Sequence, residues 1–375
     1  MTLENQRCSV PVIFKEFGNV HEPDIIKRIF FYLDYDSFKK CQRVSRSWRS
    51  LLTSEAYISM GKIVFQKELV RIQRKLYEEA TEGELEEVVK LISCHMVDVD
   101  CVIGGLEKIT PLGSATREGH IGVIQALLDR GADPNKSIDE ESGMRPLHVA
   151  ALNGYEDIAR LLIDHGANPN MANENGMTPV HLAAMKSRSG LIRQLIQAGA
   201  DPSPENEKGR TPLHFIKSDM GVFTELINGG AAVDKPNNSG CTPLHAASFR
   251  RNKFLVLALI QHGANPDGAD HNGDTSLHKV ARIGCTPVVE VLLERGADPN
   301  KRNNHGETPL HIAVSYGRED VVRALVKSCA HINVAKNDGH TPLTLACGNK
   351  EMIDILTSTS PGLLEKMVKD SDSDE

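Results

Sequence analysis

A tetrapeptide of the form Thr-Pro-Leu-His returns through most of this chain at a nearly fixed step. Its copies begin at Thr110, Arg145, Thr178, Thr211, Thr242, Thr275, Thr308 and Thr341, separated by 35, 33, 33, 31, 33, 33 and 33 residues. A period of that length means a stack of like units, each touching its neighbours, rather than one globular core. Such stacks offer long surfaces, which suit binding better than they suit a deep catalytic pocket.

The residues within one period explain how each unit folds. In Thr178-Pro179-Val180-His181, Thr is suited to the N-cap, where its side-chain oxygen accepts an orphan amide of a new helix. Pro follows in the first turn, where a missing N–H costs nothing. Val180 is expected in the core. A second helix follows with Leu195 and Ile196, and ends at Gly199, a residue suited to a left-handed cap. The chain then passes through Ala200-Asp201-Pro202 into a polar loop. The same order occurs at Leu127-Leu128 with Gly131-Ala132-Asp133-Pro134-Asn135, and at Leu292-Leu293 with Gly296-Ala297-Asp298-Pro299-Asn300. Asn175-Gly176, Asn272-Gly273 and Asp338-Gly339 supply turn chemistry at the loop tips.

These two elements, held in register over seven steps, closely resemble the ankyrin repeat. Leu76, Ala80 and Gly83, with Val88, Val89, Leu91 and Ile92 after them, fit one further unit before Thr110. The resemblance covers residues 75–357. It implies an all-α chain whose main part is a solenoid of about nine repeats with β-hairpin-like loops.

Residues 12–58 lie outside the repeat. Ile25, Ile29 and Leu33, with Ile26 and Phe30 beside them, mark one face of a helix opened by Pro23 and Asp24. Phe38 begins a second helical stretch, and Val44-Ser45-Arg46-Ser47-Trp48-Arg49-Ser50-Leu51 follows, with the single tryptophan of the chain. One account is a small helical cap over the end of the stack. The other is that Ile29-Phe30-Phe31-Tyr32-Leu33-Asp34 and Val44 to Leu51 resemble the F-box at the family's spacing, with His21-Glu22-Pro23-Asp24 replacing the usual opening. That resemblance implies docking to an SKP-type adaptor of a cullin–RING ubiquitin ligase. Ile25, Ile29, Phe30, Leu33, Phe38, Val44 and Trp48 are the candidate contacts. A module this short needs its adaptor, the next helix, or both to bury enough surface.

The joint at 59–74 carries Phe65, Leu69 and Ile72 with Leu76 after them, an amphipathic helical stripe that leads into the first repeat and implies a stiff connection. At the far end, residues 358–375 read as a short capping helix with Leu363, Leu364, Met367 and Val368. After it comes the acidic run Asp370-Ser371-Asp372-Ser373-Asp374-Glu375. Ser371 and Ser373 sit among carboxylates as acidophilic kinase sites do, and solubility explains the run equally well.

A net charge of −7 over 375 residues argues against wholesale nucleic-acid binding. No stretch approaches the ~20 apolar residues of a membrane helix. The polar start carries no secretory signal. The eight cysteines are scattered, which fits reduced thiols in the cytoplasm or nucleus. Six histidines each fill the fourth tetrapeptide position, so inter-repeat hydrogen bonding accounts for them better than a catalytic or zinc cluster does. No nucleotide-binding or hydrolase motif is present, and no cofactor, metal or catalytic residue is expected.

The family places target binding on loop tips and inner helices. The variable positions around the repeat's glycine hold Arg117, Lys186, Arg188, Phe249, Arg250, Arg251, Arg282 and Tyr316, with Met185 and Ile283 among them. Arg and aromatic residues are the usual interface anchors, and an acidic or phosphorylated protein segment is their complement. Ordinary solvent-facing arginines are the alternative. The 31-residue unit at Thr211, with Phe215-Ile216-Lys217 in place of Ala-Ala, and Ser187 in a glycine slot point to altered curvature near 185–225. The long step after Thr110 places an extended acidic loop near Ile138-Asp139-Glu140-Glu141. The expected role is substrate recognition for an SKP–cullin–F-box ligase, with ubiquitin transfer done by other subunits. A plain ankyrin scaffold or inhibitor is the alternative.

Overall fold

The computed structural model describes residues 55–93, 97–102, 109–138 and 141–358. The adaptor candidates from Ile25 to Trp48 and the expected capping helix with its acidic run lie outside those residues. The chain divides into two compact units, 1–139 and 140–375.

The first unit begins with α1, Glu55–Glu82, a single helix of 28 residues that includes both the joint and the first helix of the first repeat. Leu76 and Ala80, four apart on one face, are both fully buried. Gly83 ends the helix at φ +83°, and a Cβ there would meet the His120 ring at 2.6 Å. α2 (Leu85–Ile92), α3 (Pro111–Glu118) and α4 (Ile121–Asp129) complete two helix pairs. In the tetrapeptide of α3 the usual histidine is Gly113, and Thr110 caps its amide at 3.1 Å. The glycine is required by what covers it. A Cβ would stand 2.6 Å from Cγ2 of Ile138, which is only 3% exposed. The start of the expected acidic insertion is therefore an apolar plug, while Asp139 and Glu140 lie outside the described residues.

Among its described residues the second unit holds seven pairs of helical elements. They are α5 (Pro146–Asn153) with α6 (Glu156–Asp164), α7 (Pro179–Met185) with α8 (Ser189–Gln197), a 3-10 turn (Pro212–Phe215) with α9 (Met220–Asn228), and α10 (Pro243–Phe249) with α11 (Lys253–Gln261). Then come α12 (Ser276–Ile283) with α13 (Thr286–Glu294), α14 (Pro309–Ser315) with α15 (Glu319–Lys327), and α16 (Pro342–Leu345) with α17 (Lys350–Ser358). First helices stack on first helices and second on second, with the loosest junction of this unit between α9 and α11, where the Phe223 and His262 rings meet edge to face at 5.2 Å. One apolar row shows the period directly. Leu162, Leu195, Leu226, Leu259, Leu292 and Leu325 are each at most 1% exposed. Each removes roughly 2 kcal/mol worth of apolar surface from water.

The shortened unit turns on one residue. Ile216 is fully buried and leaves the helical region at φ −60°, ψ 126°. The first helix of that unit therefore stops after a four-residue 3-10 turn. The loop tips, expected to be hairpin-like, form tight turns. Asn173 N–H donates to the Met177 carbonyl at 3.0 Å, and successive tips bond in a ladder, as in Glu207 N–H to Asn175 O at 3.2 Å. Among the described residues there is no strand, only an isolated bridge between Ala269 and Thr275.

Candidate target-binding site

The stack is held in register by its histidines. In the Thr178 unit, the Thr178 N–H donates to Nδ1 of His181 at 3.1 Å. Nε2 of the same ring meets the Arg210 carbonyl, just before the next tetrapeptide, at 2.8 Å. The same reach joins His148 to Met177 at 3.0 Å, His214 to Cys241 at 2.9 Å, His245 to Asp274 at 3.0 Å, His278 to Glu307 at 3.0 Å and His311 to His340 at 3.2 Å. An amide can only donate and a carbonyl can only accept, so the proton sits on Nε2 and the ring is neutral. Burial pushes these histidines down, His148 and His214 to about 4. All six are fixed by the backbone and remain structural. Among the described residues no three His, Cys, Asp or Glu side chains could hold a metal.

A second set of side chains holds the loops. Asn173, Asn206, Asn237, Asp270 and Asn303 recur at one loop position, and each accepts two backbone amides from its own turn. For Asn206 these are Lys208 N–H at 3.0 Å and Arg210 N–H at 2.9 Å. Asp270 differs by its charge. Lys279 Nζ lies 2.6 Å from Asp270 and 3.0 Å from Asp274, both carboxylates almost fully buried. Asn303 donates to the other oxygen of Asp274 at 2.8 Å. Burial alone would raise both carboxyl groups, but Lys279 and the hydrogen bonds outweigh it and hold them below the usual range.

The candidate residues at the ends of the first helices lie on the surface. Lys186, Arg188, Phe249, Arg250, Arg251, Arg282 and Tyr316 are all exposed in the second unit, and Arg117 is exposed in the first. Met185 and Ile283 are half-buried. The structure brings two of the candidates into contact: the Arg282 guanidinium lies 5.6 Å from the centre of the Tyr316 ring. Arg282 also approaches Asp274 at 3.8 Å. Arg250 is exposed as a residue, yet local burial of its guanidinium, then Arg210, push its pKa below the ordinary arginine value.

Two candidates have unusual backbone or packing. Arg251 stands in the glycine slot at φ +59°, as does Ser187, a left-handed conformation that disfavours side chains. Arg188 lies against Gly154, where a Cβ would meet its Nε at 2.6 Å. The equivalent residues of other units also reach back, Asn252 to the Lys217 carbonyl at 2.8 Å and Arg318 to the Arg282 carbonyl at 3.1 Å. Arg188 thus sits in a position that staples neighbouring units. Lys253 and Phe254 adjoin these candidates and were not singled out in the sequence. Phe254 is 66% exposed and has Lys253 Nζ 5.3 Å from its ring centre. The signal was an aromatic residue in the first turn of a second helix, next to a run of cations.

Family models place ankyrin repeats at 76–173, 153–196, 216–303 and 288–366, and an F-box domain at 23–57. The F-box match contains every adaptor candidate from Ile25 to Trp48. Among curated proteins, the mouse "Protein phosphatase 1 regulatory subunit 27" is 35% identical over 93 residues, 25% of this chain and 58% of that protein. The Neurospora crassa "Ankyrin repeat protein nuc-2" is 36% identical over 83 residues, 22% of this chain and 8% of that protein. The chain therefore spans little more than half of the first relative and a small part of the second. Among solved structures, the ankyrin domain of Bcl-3 aligns with a TM-score of 0.53 and 29% identity, covering 58% of this chain and 99% of that one. The human ASB11 ankyrin domain aligns with the same TM-score at 24% identity, over 58% and 98%, a likeness of fold. With repeat models spanning more than half of its length behind an F-box, the chain belongs to the ankyrin-repeat proteins and is an F-box/ankyrin-repeat protein.

Proposed function

We propose that this chain is the substrate-recognition subunit of an SKP–cullin–F-box ubiquitin ligase. Both matched modules are protein-interaction modules, of the kind that bind an SKP-type adaptor and protein targets respectively. The observation that carries the proposal is their order, an F-box at 23–57 followed directly by an array starting at residue 76. The mechanism is proximity. One part holds the adaptor and the cullin–RING assembly, the other holds an acidic or phosphorylated target, and no residue of this chain is catalytic. The continuous helix α1 gives the first repeat a stiff lead-in, which suits a device that must present a target at a set distance. Action in the cytoplasm, the nucleus or both is part of this proposal.

The test is a pull-down of the purified chain with the SKP-type adaptor, beside an Ile29→Asp/Leu33→Asp variant checked by circular dichroism. Binding by the parent and its loss in a folded variant is the expected result. No binding by a folded parent would leave an ankyrin scaffold. The likeness to a phosphatase regulatory subunit favours that as the second reading.

A further inference from the structure

One exposed stretch of the second unit gathers cations and aromatic rings on the surface. Phe249-Arg250-Arg251-Asn252-Lys253-Phe254 holds three cations and two aromatic rings without a carboxylate. Phe249 and Phe254 are 68% and 66% exposed, above every other large apolar side chain among the described residues. Lys217 extends the cluster on one side through Asn252, whose side chain donates to its carbonyl. Arg282 and Tyr316 extend it on the other. Lys217, Arg250, Arg251 and Lys253 make no ion pair among the described residues. Arg251 keeps a left-handed backbone that glycine would fill without cost. Strain retained at an exposed cation points toward use.

We propose that this basic and aromatic surface docks an extended acidic segment, and that its occupant is the acidic run 370–375 of the same chain. The first argument is charge. Asp370, Asp372, Asp374 and Glu375 place four carboxylates in six residues with no cation. In a chain of net charge −7, a surface of unpaired cations is where such a run is attracted.

The second argument is reach. α17 ends at Ser358, and the chain from there to Asp372 spans up to about 46 Å when extended and up to about 34 Å with the expected capping helix formed over 361–368. The first helices α10, α12, α14 and α16 are consecutive neighbours, at about 10 Å per step. The end of α10 is then roughly 30 Å along the stack and one short helix, about 13 Å, across it. The run can reach the cluster. Attachment to the same chain supplies an effective concentration near millimolar, so ion pairs that are weak singly suffice. If the surface also serves the target of the ligase reading, an acidic target must displace the run. That consequence rests on the proposed function, but the docking itself does not.

The test is carbodiimide cross-linking of the full chain at low salt, mapped by peptide mass spectrometry, using mixed light- and heavy-isotope chains. The expected products join carboxylates of 370–375 to Lys253 or Lys217 within one chain, and disappear in molar salt. Arg250→Glu/Arg251→Glu keeps both lysines and should cut those products by roughly five- to tenfold, with an unchanged circular dichroism spectrum. Links confined to Lys327 or Lys350, links only between light and heavy chains, or yields indifferent to the charge reversal would each overturn the proposal. No adaptor or target is present, so failure here is separate from failure of adaptor binding.

Discussion

At the residue scale, one histidine per unit does two jobs, capping its own helix and reaching the next unit. Protonation puts an N–H at Nδ1, facing the N-cap amide that it must accept. Folded pKa values are lowered by burial, to about 4 for His148 and His214, against an ordinary unfolded value of ~6.5. The unfolded chain therefore binds more protons between those limits. The histidine contribution is complete above pH ~6.5 and is lost as pH falls toward 4, at up to ~1.4 kcal/mol per pH unit for each such ring. Urea melts from pH 7 down to pH 4.5 should show a steep fall in midpoint, reduced in a His148→Gln variant relative to its own pH 7 value. A flat profile would mean that the rings are not held neutral. At Arg251 the opposing costs are close in size. Relief of the left-handed backbone favours Arg251→Gly by about 1–2 kcal/mol, while the freer unfolded chain opposes it by about 0.4–1 kcal/mol. A net gain near 0.5–1 kcal/mol in denaturant melts is the expected outcome, and destabilisation would show that the arginine side chain supports the fold.

At the element scale, the repeats were legible because their cues are local. Thr178, Pro179, His181 and Gly199 each announce one feature of a helix pair, and the apolar row from Leu162 to Leu325 follows from the period alone. The collapse of one helix to Pro212–Phe215 was half legible: the substitution at Ile216 was plain, its turn into extended backbone was not. The Asp270–Lys279–Asp274 cluster was not legible at all. These are ordinary surface residue types, and only the fold makes their sites dry. The packing of Arg188 over Gly154 was hidden for the same reason, since the two residues lie a full unit apart. Ile138 over Gly113 combines both cases, an insertion visible in the spacing and a plug visible only in packing. Gly113→Ala places a methyl 2.6 Å from the Ile138 side chain, where it must displace a buried group. Overpacking of this kind costs about 1–3 kcal/mol. Thermal melts should show that loss, and Gly113→Ala combined with Ile138→Ala should recover part of it through shared space. Additive losses would mean that the two side chains do not compete.

At the scale of the whole molecule, the two activities proposed for this chain reside on separate stretches of sequence, and they should separate by mutation. Adaptor contacts are assigned within 25–48, inside the F-box match, and target contacts to the basic and aromatic surface that includes Arg250 and Arg251. Reversing those two charges is a clean perturbation of the second activity. Both residues are exposed, the partly buried Arg250 head group lies beside another cation, Arg210, rather than a carboxylate, neither makes an ion pair among the described residues, and glutamate at 251 inherits a backbone strain already present. Surface changes of this kind shift stability by about 0.5 kcal/mol or less, so melts of Arg250→Glu/Arg251→Glu should overlay those of the parent. Capture of an acidic target should nevertheless be abolished, because like charges now face each other where a partner's carboxylates must sit. Adaptor pull-down should be unchanged. Salt provides an independent check: target binding by the parent should weaken steeply as ionic strength rises, since exposed charges beyond ~8 Å are screened at physiological salt, while an apolar F-box interface should hardly respond. Undiminished target capture by the folded double variant would remove the basic surface from the account and leave the target contact to be sought elsewhere on the array.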